Sequence, residues 1–149
     1  ADWSALAEAP PGHVTVSAVA HHALWDSWVH ERDILLPLGR AQVIEPDEVA
    51  AALAYAAALS PAFAVSLSRG RTAVLGVAAT APSVQVAVEV DEVVRVRPGV
   101  ARDADLVLRG DAVDLLEALS IRRPLDQTIP AGQEWMVQGL LRIFDLAPD

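Results

Sequence analysis

The chain of 149 residues contains no cysteine. That removes disulfides, zinc–thiolate sites, iron–sulfur clusters and a cysteine nucleophile, without fixing a compartment. There is no lysine and no asparagine either, so all 11 basic residues are arginine. Loss of two residues with AA-starting codons, beside abundant alanine, points to a GC-rich genome rather than a functional demand. No run of about eighteen uninterrupted apolar residues occurs, so a membrane span is not expected. No charged–apolar–small signal opens the chain, which makes the cytoplasm the expected location. No internal repeat is visible.

What is present is acid and apolar side chain. Twenty acidic residues against 11 basic ones give a formal net charge of −9. Such a chain is a poor nonspecific nucleic-acid binder, and no basic stripe changes that. Hydrophobic residues make up 53%, enough for a core and too many for a disordered chain. The length suits one domain, or one domain plus a piece of another.

Histidine and tryptophan are unevenly placed. All four histidines (His13, His21, His22, His30) and three of the four tryptophans (Trp3, Trp25, Trp28) lie in the first 30 residues. Two structural origins are therefore expected: a helical segment within 1–43 and a mixed segment over 44–149. Residues 14–38 read as one helix, preceded by Pro10, Pro11 and Gly12 and stopped by Pro37 and Gly39. Its His22, Asp26 and His30 recur at spacing four and share one stripe, neighbours about 6 Å apart along the axis. Its apolar flanks, Leu24, Trp25, Trp28, Val29, Ile34 and Leu35, call for other helices to pack against. His13 and His21 are expected at the surface.

Over 44–149 the pattern is α+β. A helix is expected over 47–59, opened by Pro46, Asp47 and Glu48 and closed before Pro61. Thr72 to Ala79 is an apolar run of strand length. Val84, Val86, Val88 and Val90 alternate with Gln85 and Glu89, as in a half-buried antiparallel strand. Val93 to Arg97 and Asp105 to Arg109 are further strands, Pro98-Gly99 breaks the chain, and Asp111 caps a helix running to about Ser120. A last amphipathic helix spans about 133–145. Strands followed by helices imply a sheet with one face covered by helices.

Trp28-Val29-His30-Glu31-Arg32-Asp33-Ile34, with Asp26 four before His30, resembles the last helix of the metal-binding domain in the mycothiol-dependent maleylpyruvate isomerase family, of the DinB-like superfamily. Asp103 to Asp111, then Leu115 to Leu119, then Arg122-Arg123-Pro124-Leu125, resemble the C-terminal domain of that family, which is similar to sterol-carrier-protein type 2 folds. Trp135 to Phe144, with Gly139, resembles its closing helix. The likeness covers nearly the whole chain past residue 14, and its order and spacing carry more weight than any single motif. Mycothiol is a thiol of actinobacteria, whose genomes are GC-rich.

The resemblance implies a sterol-carrier-like domain preceded by one helix of a four-helix bundle, the rest of that bundle being absent. It implies a divalent metal, zinc for choice, on Asp26 and His30, with His22 as a further candidate. It also implies a thiol cofactor such as mycothiol and an isomerase or transferase acting on a small acidic or electrophilic substrate. Carboxylate oxygen and imidazole nitrogen suit zinc at about 2.0–2.2 Å. Arg122 and Arg123 are the candidate catalytic residues, since a guanidinium fork matches a substrate carboxylate. The chain supplies two or three ligands where the family has a further histidine on an early helix. A second polypeptide carrying the missing helices, or self-association through residues 14–38, is therefore the expected partner. The residues themselves leave alternatives open. Asp26 and His30 also fit a helical i,i+4 ion pair, Arg122 and Arg123 also fit structural salt bridges, and Trp135 fits the core or a groove. A non-catalytic module of sterol-carrier type, holding an apolar ligand among Val84 to Val96 and the last helix, is the alternative function.

Overall fold

The computed structural model describes residues 2–9 and 12–144. Pro10, Pro11 and Asp145, and the His13 side chain, lie outside the described residues. The chain is α+β. A hairpin of β1 (Leu6–Ala9) and β2 (Gly12–Thr15) leads into two helices, α1 (Val16–Ala20) and α2 (His22–Leu35). The long helix α3 (Pro46–Ser66) follows, then β3 (Ala73–Thr80), β4 (Val84–Val90), β5 (Val94–Pro98) and β6 (Leu106–Asp111). Helices α4 (Ala112–Leu119) and α5 (Trp135–Phe144) complete it. Among the described residues the strands form one mixed sheet in the order β1-β2-β5-β4-β3-β6. Strands β3, β4 and β5 are antiparallel neighbours, while β6 runs parallel to β3, and β2 meets β5 in parallel at Val14 and Val94.

The alternation in β4 does what its pattern predicts. Val84, Val86, Val88 and Val90 are buried, while Gln85 is exposed and Glu89 half-buried. The outer face carries charge pairs such as Arg97 Nε to Glu89 Oε2 at 2.8 Å. The inner face is covered by α3, a helix buried nearly all round from Val49 to Ala64. By length and composition alone α3 could cross a membrane, but 72% of its most apolar window is buried inside the molecule, as in a core helix.

Three expected boundaries change. The stretch expected as one helix from 14 to 38 begins as strand, because β-branched Val14 and Thr15 favour extended backbone and find hairpin partners in Ala7 and Leu6. It then breaks at His21, whose carbonyl accepts the Trp25 N–H as α2 begins. The helix expected to close before Pro61 runs on to Ser66. Pro61 cannot donate to the carbonyl one turn earlier, but packing on all sides holds the helix through it. Asp111 caps α4 as expected, accepting from the N–H groups of Val113 and Asp114.

Residues before and after position 43 share one core. Trp28 and Val29 are 1% and 3% exposed and belong to the same cluster as Val49, Leu75 and Leu116. The apolar flank of α2 is therefore covered largely by this chain's own helices. Helix α5 reaches α3 by backbone approach: a Cβ at Gly139 would lie 2.2 Å from the Ser60 carbonyl oxygen. At the far edge of the sheet, Gln127 treats β6 as a strand would. Its Oε1 accepts the Arg109 N–H at 3.0 Å and its Nε2 donates to the Val107 carbonyl at 2.8 Å.

Candidate functional site

The stripe His22, Asp26, His30 divides between two environments. His22 sits at the start of α2, where its Nδ1 is 2.8 Å from the Tyr55 hydroxyl of α3. Its ring lies 5.8 Å from that of Trp25 and 5.2 Å from that of Tyr55. One and two turns later, Asp26 and His30 face outward with side chains 51% and 63% exposed. His30 Nε2 is 3.4 Å from Asp26 Oδ1, and its Nδ1 is 3.6 Å from Asp33 Oδ2. Among the described residues no group of three or more histidine or acidic side chains is placed to hold a metal. The described donors do not by themselves make a complete metal centre. Two of them face each other, and the third candidate, His22, is engaged by Tyr55.

Arg122 and Arg123 follow α4 at a turn that sets them against the chain's own acids. Ile121 takes a left-handed φ of 62°, while the N–H of Ile121 donates to Ala118 and that of Arg122 to Glu117. This is a Schellman ending with isoleucine where glycine is usual. Arg122 then forks onto Asp33 with Nη2–Oδ2 at 2.7 Å and Nε–Oδ1 at 3.3 Å. Hydrogen bonding to Arg122, then its charge, holds the Asp33 carboxyl below the usual carboxylate range. Arg123 bonds Asp114 and lies 3.7 Å from Glu117, which also bonds Arg32. Both guanidinium groups thus join α4 to its own surface and to α2.

The chain also forms an apolar pocket of about 470 Å³ between the α1–α2 junction, α3 and strands β4 and β5. Its walls include Ala50 and Ala54 of α3, Val84 and Val86 of β4, and Val96 of β5, with His21 at the helix break. Short alanine side chains on α3 leave the space open. The expected Val84–Val96 wall is there, but α3 and His21 close the pocket rather than the last helix. His21, expected at the surface, is half-buried, and burial pushes its imidazole below the ordinary value of 6.5. Its ring has no hydrogen-bond partner among the described residues. The sequence signal for it was weak: two adjacent histidines at a helix start do not show which turns inward.

Compared with family models, curated proteins and solved structures, the chain matches none.

Proposed function

We propose that the chain is a small-molecule-binding module of sterol-carrier type, taking an apolar ligand with one hydrogen-bonding end. The pocket beneath α3 carries this reading. Its volume of about 470 Å³ lies within the usual ligand-pocket range of about 300–1,000 Å³. Its walls are mostly valine and alanine, with Ser17, Ser83 and Gln85 as neutral polar points and His21 as the one ionisable lining group among the described residues. Such a wall supplies about 0.8 kcal/mol per buried methylene, and its few polar groups fix orientation more than affinity. The sterol-carrier-like layout is the fold assignment that goes with this function; the sheet carries helices on one face as that layout expects, but it is mixed where the layout expects antiparallel strands. Titration with the neutral apolar dye Nile red tests it. Ala51→Trp fills the pocket from the partly exposed side of α3 and should weaken the dye at least tenfold while leaving the helical circular dichroism unchanged. Equal affinity in both proteins removes the reading.

A second reading is favoured by one observation. Asp26, His30 and Ile34 follow one exposed stripe at spacing four, and Ile34 is 62% exposed. A second polypeptide, or a second copy, seated on that stripe would bring the missing donor. The assembly would then be the metal- and mycothiol-dependent isomerase or transferase that the resemblance implies. Elemental analysis of the native assembly, with loss of stoichiometric metal in His30→Ala, supports it. An assembly without metal that also takes none up on titration ends it.

A further inference from the structure

A second cavity, of about 450 Å³, lies between the loop that ends α3 and the side of α5 that carries Trp135, Gly139 and Arg142. Arg69, Arg71 and Arg142 line it, beside Trp135 and the small residues Ala64 and Gly139. Among the described residues no acidic side chain lines it, in a chain with 20 acids and a net charge of −9. Five other arginines, Arg32, Arg95, Arg97, Arg122 and Arg123, each have a carboxylate partner. The three groove arginines have none among the described residues. Two acids line an adjoining depression, which shares Arg71. There Asp91 is taken by Arg95 at 3.0 Å and by the Val93 N–H at 2.9 Å, leaving Glu92 as its other acid.

The loop is built to bring the arginines together. Helix α3 ends in a Schellman motif with Ser68 at a left-handed φ of 56°. The N–H groups of Arg69 and Gly70 both donate to the Ala64 carbonyl, at 2.7 and 2.9 Å. Those backbone donors are therefore spent within the chain, and a ligand there is read by side chains. Gly70 allows the tight return, since a Cβ would lie 2.7 Å from Val65 Cγ2. The C-terminal end of α3 contributes roughly half a negative charge, against three full positive charges. The balance favours an anion. Trp135, half-buried on the wall, offers a flat apolar face beside the charges.

We propose that this groove binds a small molecule bearing an oxyanion, phosphate or carboxylate, whose planar or apolar body lies against Trp135. It is separate from the valine-lined pocket and does not depend on that pocket holding a ligand. The probe is 8-anilinonaphthalene-1-sulfonate, titrated by fluorescence. Arg69→Gln and Arg142→Gln should each weaken it about tenfold, as expected for loss of one charged hydrogen bond. Arg69→Lys should recover part of the loss, and raised salt should weaken wild type more than either variant. Ala51→Trp should leave probe binding unchanged. Competition distinguishes the source: displacement by inorganic phosphate assigns a phosphate head, displacement by benzoate but not phosphate a carboxylate. Unchanged affinity in both glutamine variants overturns the proposal. So does loss of the probe in Ala51→Trp alone, or failure of both competitors.

Discussion

His22 Nδ1 and the Tyr55 hydroxyl stand 2.8 Å apart and tie the first turn of α2 to the middle of α3. Tyr55 is 1% exposed. Burial, and secondarily the charge of Asp26, push its phenol up to about 12, so it stays protonated at neutral pH. The bond is thus neutral on the tyrosine side, and the phenol donates when His22 carries its proton on Nε2. Removing the hydroxyl leaves a half-buried imidazole nitrogen without its partner. Tyr55→Phe should destabilise the fold by about 1 kcal/mol, measured by urea unfolding. In a double-mutant cycle with His22→Ala the effects should fall short of additivity by about 0.5 kcal/mol or more. Strict additivity would mean that the two groups do not interact in solution.

The turn after α4 should be improvable. Ile121 holds a φ of 62°, a region that costs a residue with a Cβ roughly 1–2 kcal/mol and a glycine little. Its side chain is 39% exposed, so little packing is lost on truncation. Ile121→Gly should raise stability by about 1 kcal/mol, or about 2–4 °C in midpoint for a chain of this size. Calorimetry showing a lower midpoint would mean that the isoleucine side chain outweighs the backbone strain.

The α3–α5 crossing admits no side chain at one point. A methyl group at 139 would sit 2.2 Å from the Ser60 oxygen and 2.9 Å from its carbonyl carbon. Gly139→Ala must push the helices apart, at a cost of about 1–3 kcal/mol. Because Trp135 and Arg142 ride on α5, the same variant should also weaken the anionic dye. A variant as stable as wild type would show that the crossing yields easily.

Acidification should act through His21. Its folded-state value lies below 6.5 because burial disfavours the cation, whereas the unfolded chain titrates near the ordinary value. The unfolded state therefore takes up more protons as pH falls below about 6.5, and stability declines until the folded-state value is passed. Above that window the contribution is fully present. Urea midpoints at about pH 7 and about pH 5 should differ more in wild type than in His21→Gln, the difference between the proteins removing the carboxylates common to both. Parallel shifts would exclude a buried His21.

Local pattern carried much of the fold. The valine alternation of β4 and the Asp111 cap are short-range signals, and both appear where the spacing put them. The boundaries that moved depend on distant partners. Strand β2 needs β1 and β5, and α3 survives Pro61 because other elements surround it. The candidate sites follow the same division. Spacing four brought Asp26 to His30, but it could not show that His22 would be drawn to Tyr55, which is 33 residues away. The groove arginines are harder still: Arg71 and Arg142 share one wall only because α5 returns to the end of α3.

Gln127 has a consequence for how these molecules meet one another in concentrated solution. An open strand edge is a template, and an incoming chain grows on it by exchanging the same N–H and carbonyl groups that sheets use internally. At β6 the Arg109 N–H and the Val107 carbonyl are already taken by one amide side chain of the same molecule. A neighbouring strand would have to displace that amide before it could add. The side chain thus works as a local stopper, holding two of the groups on this edge that fibrillar growth would need.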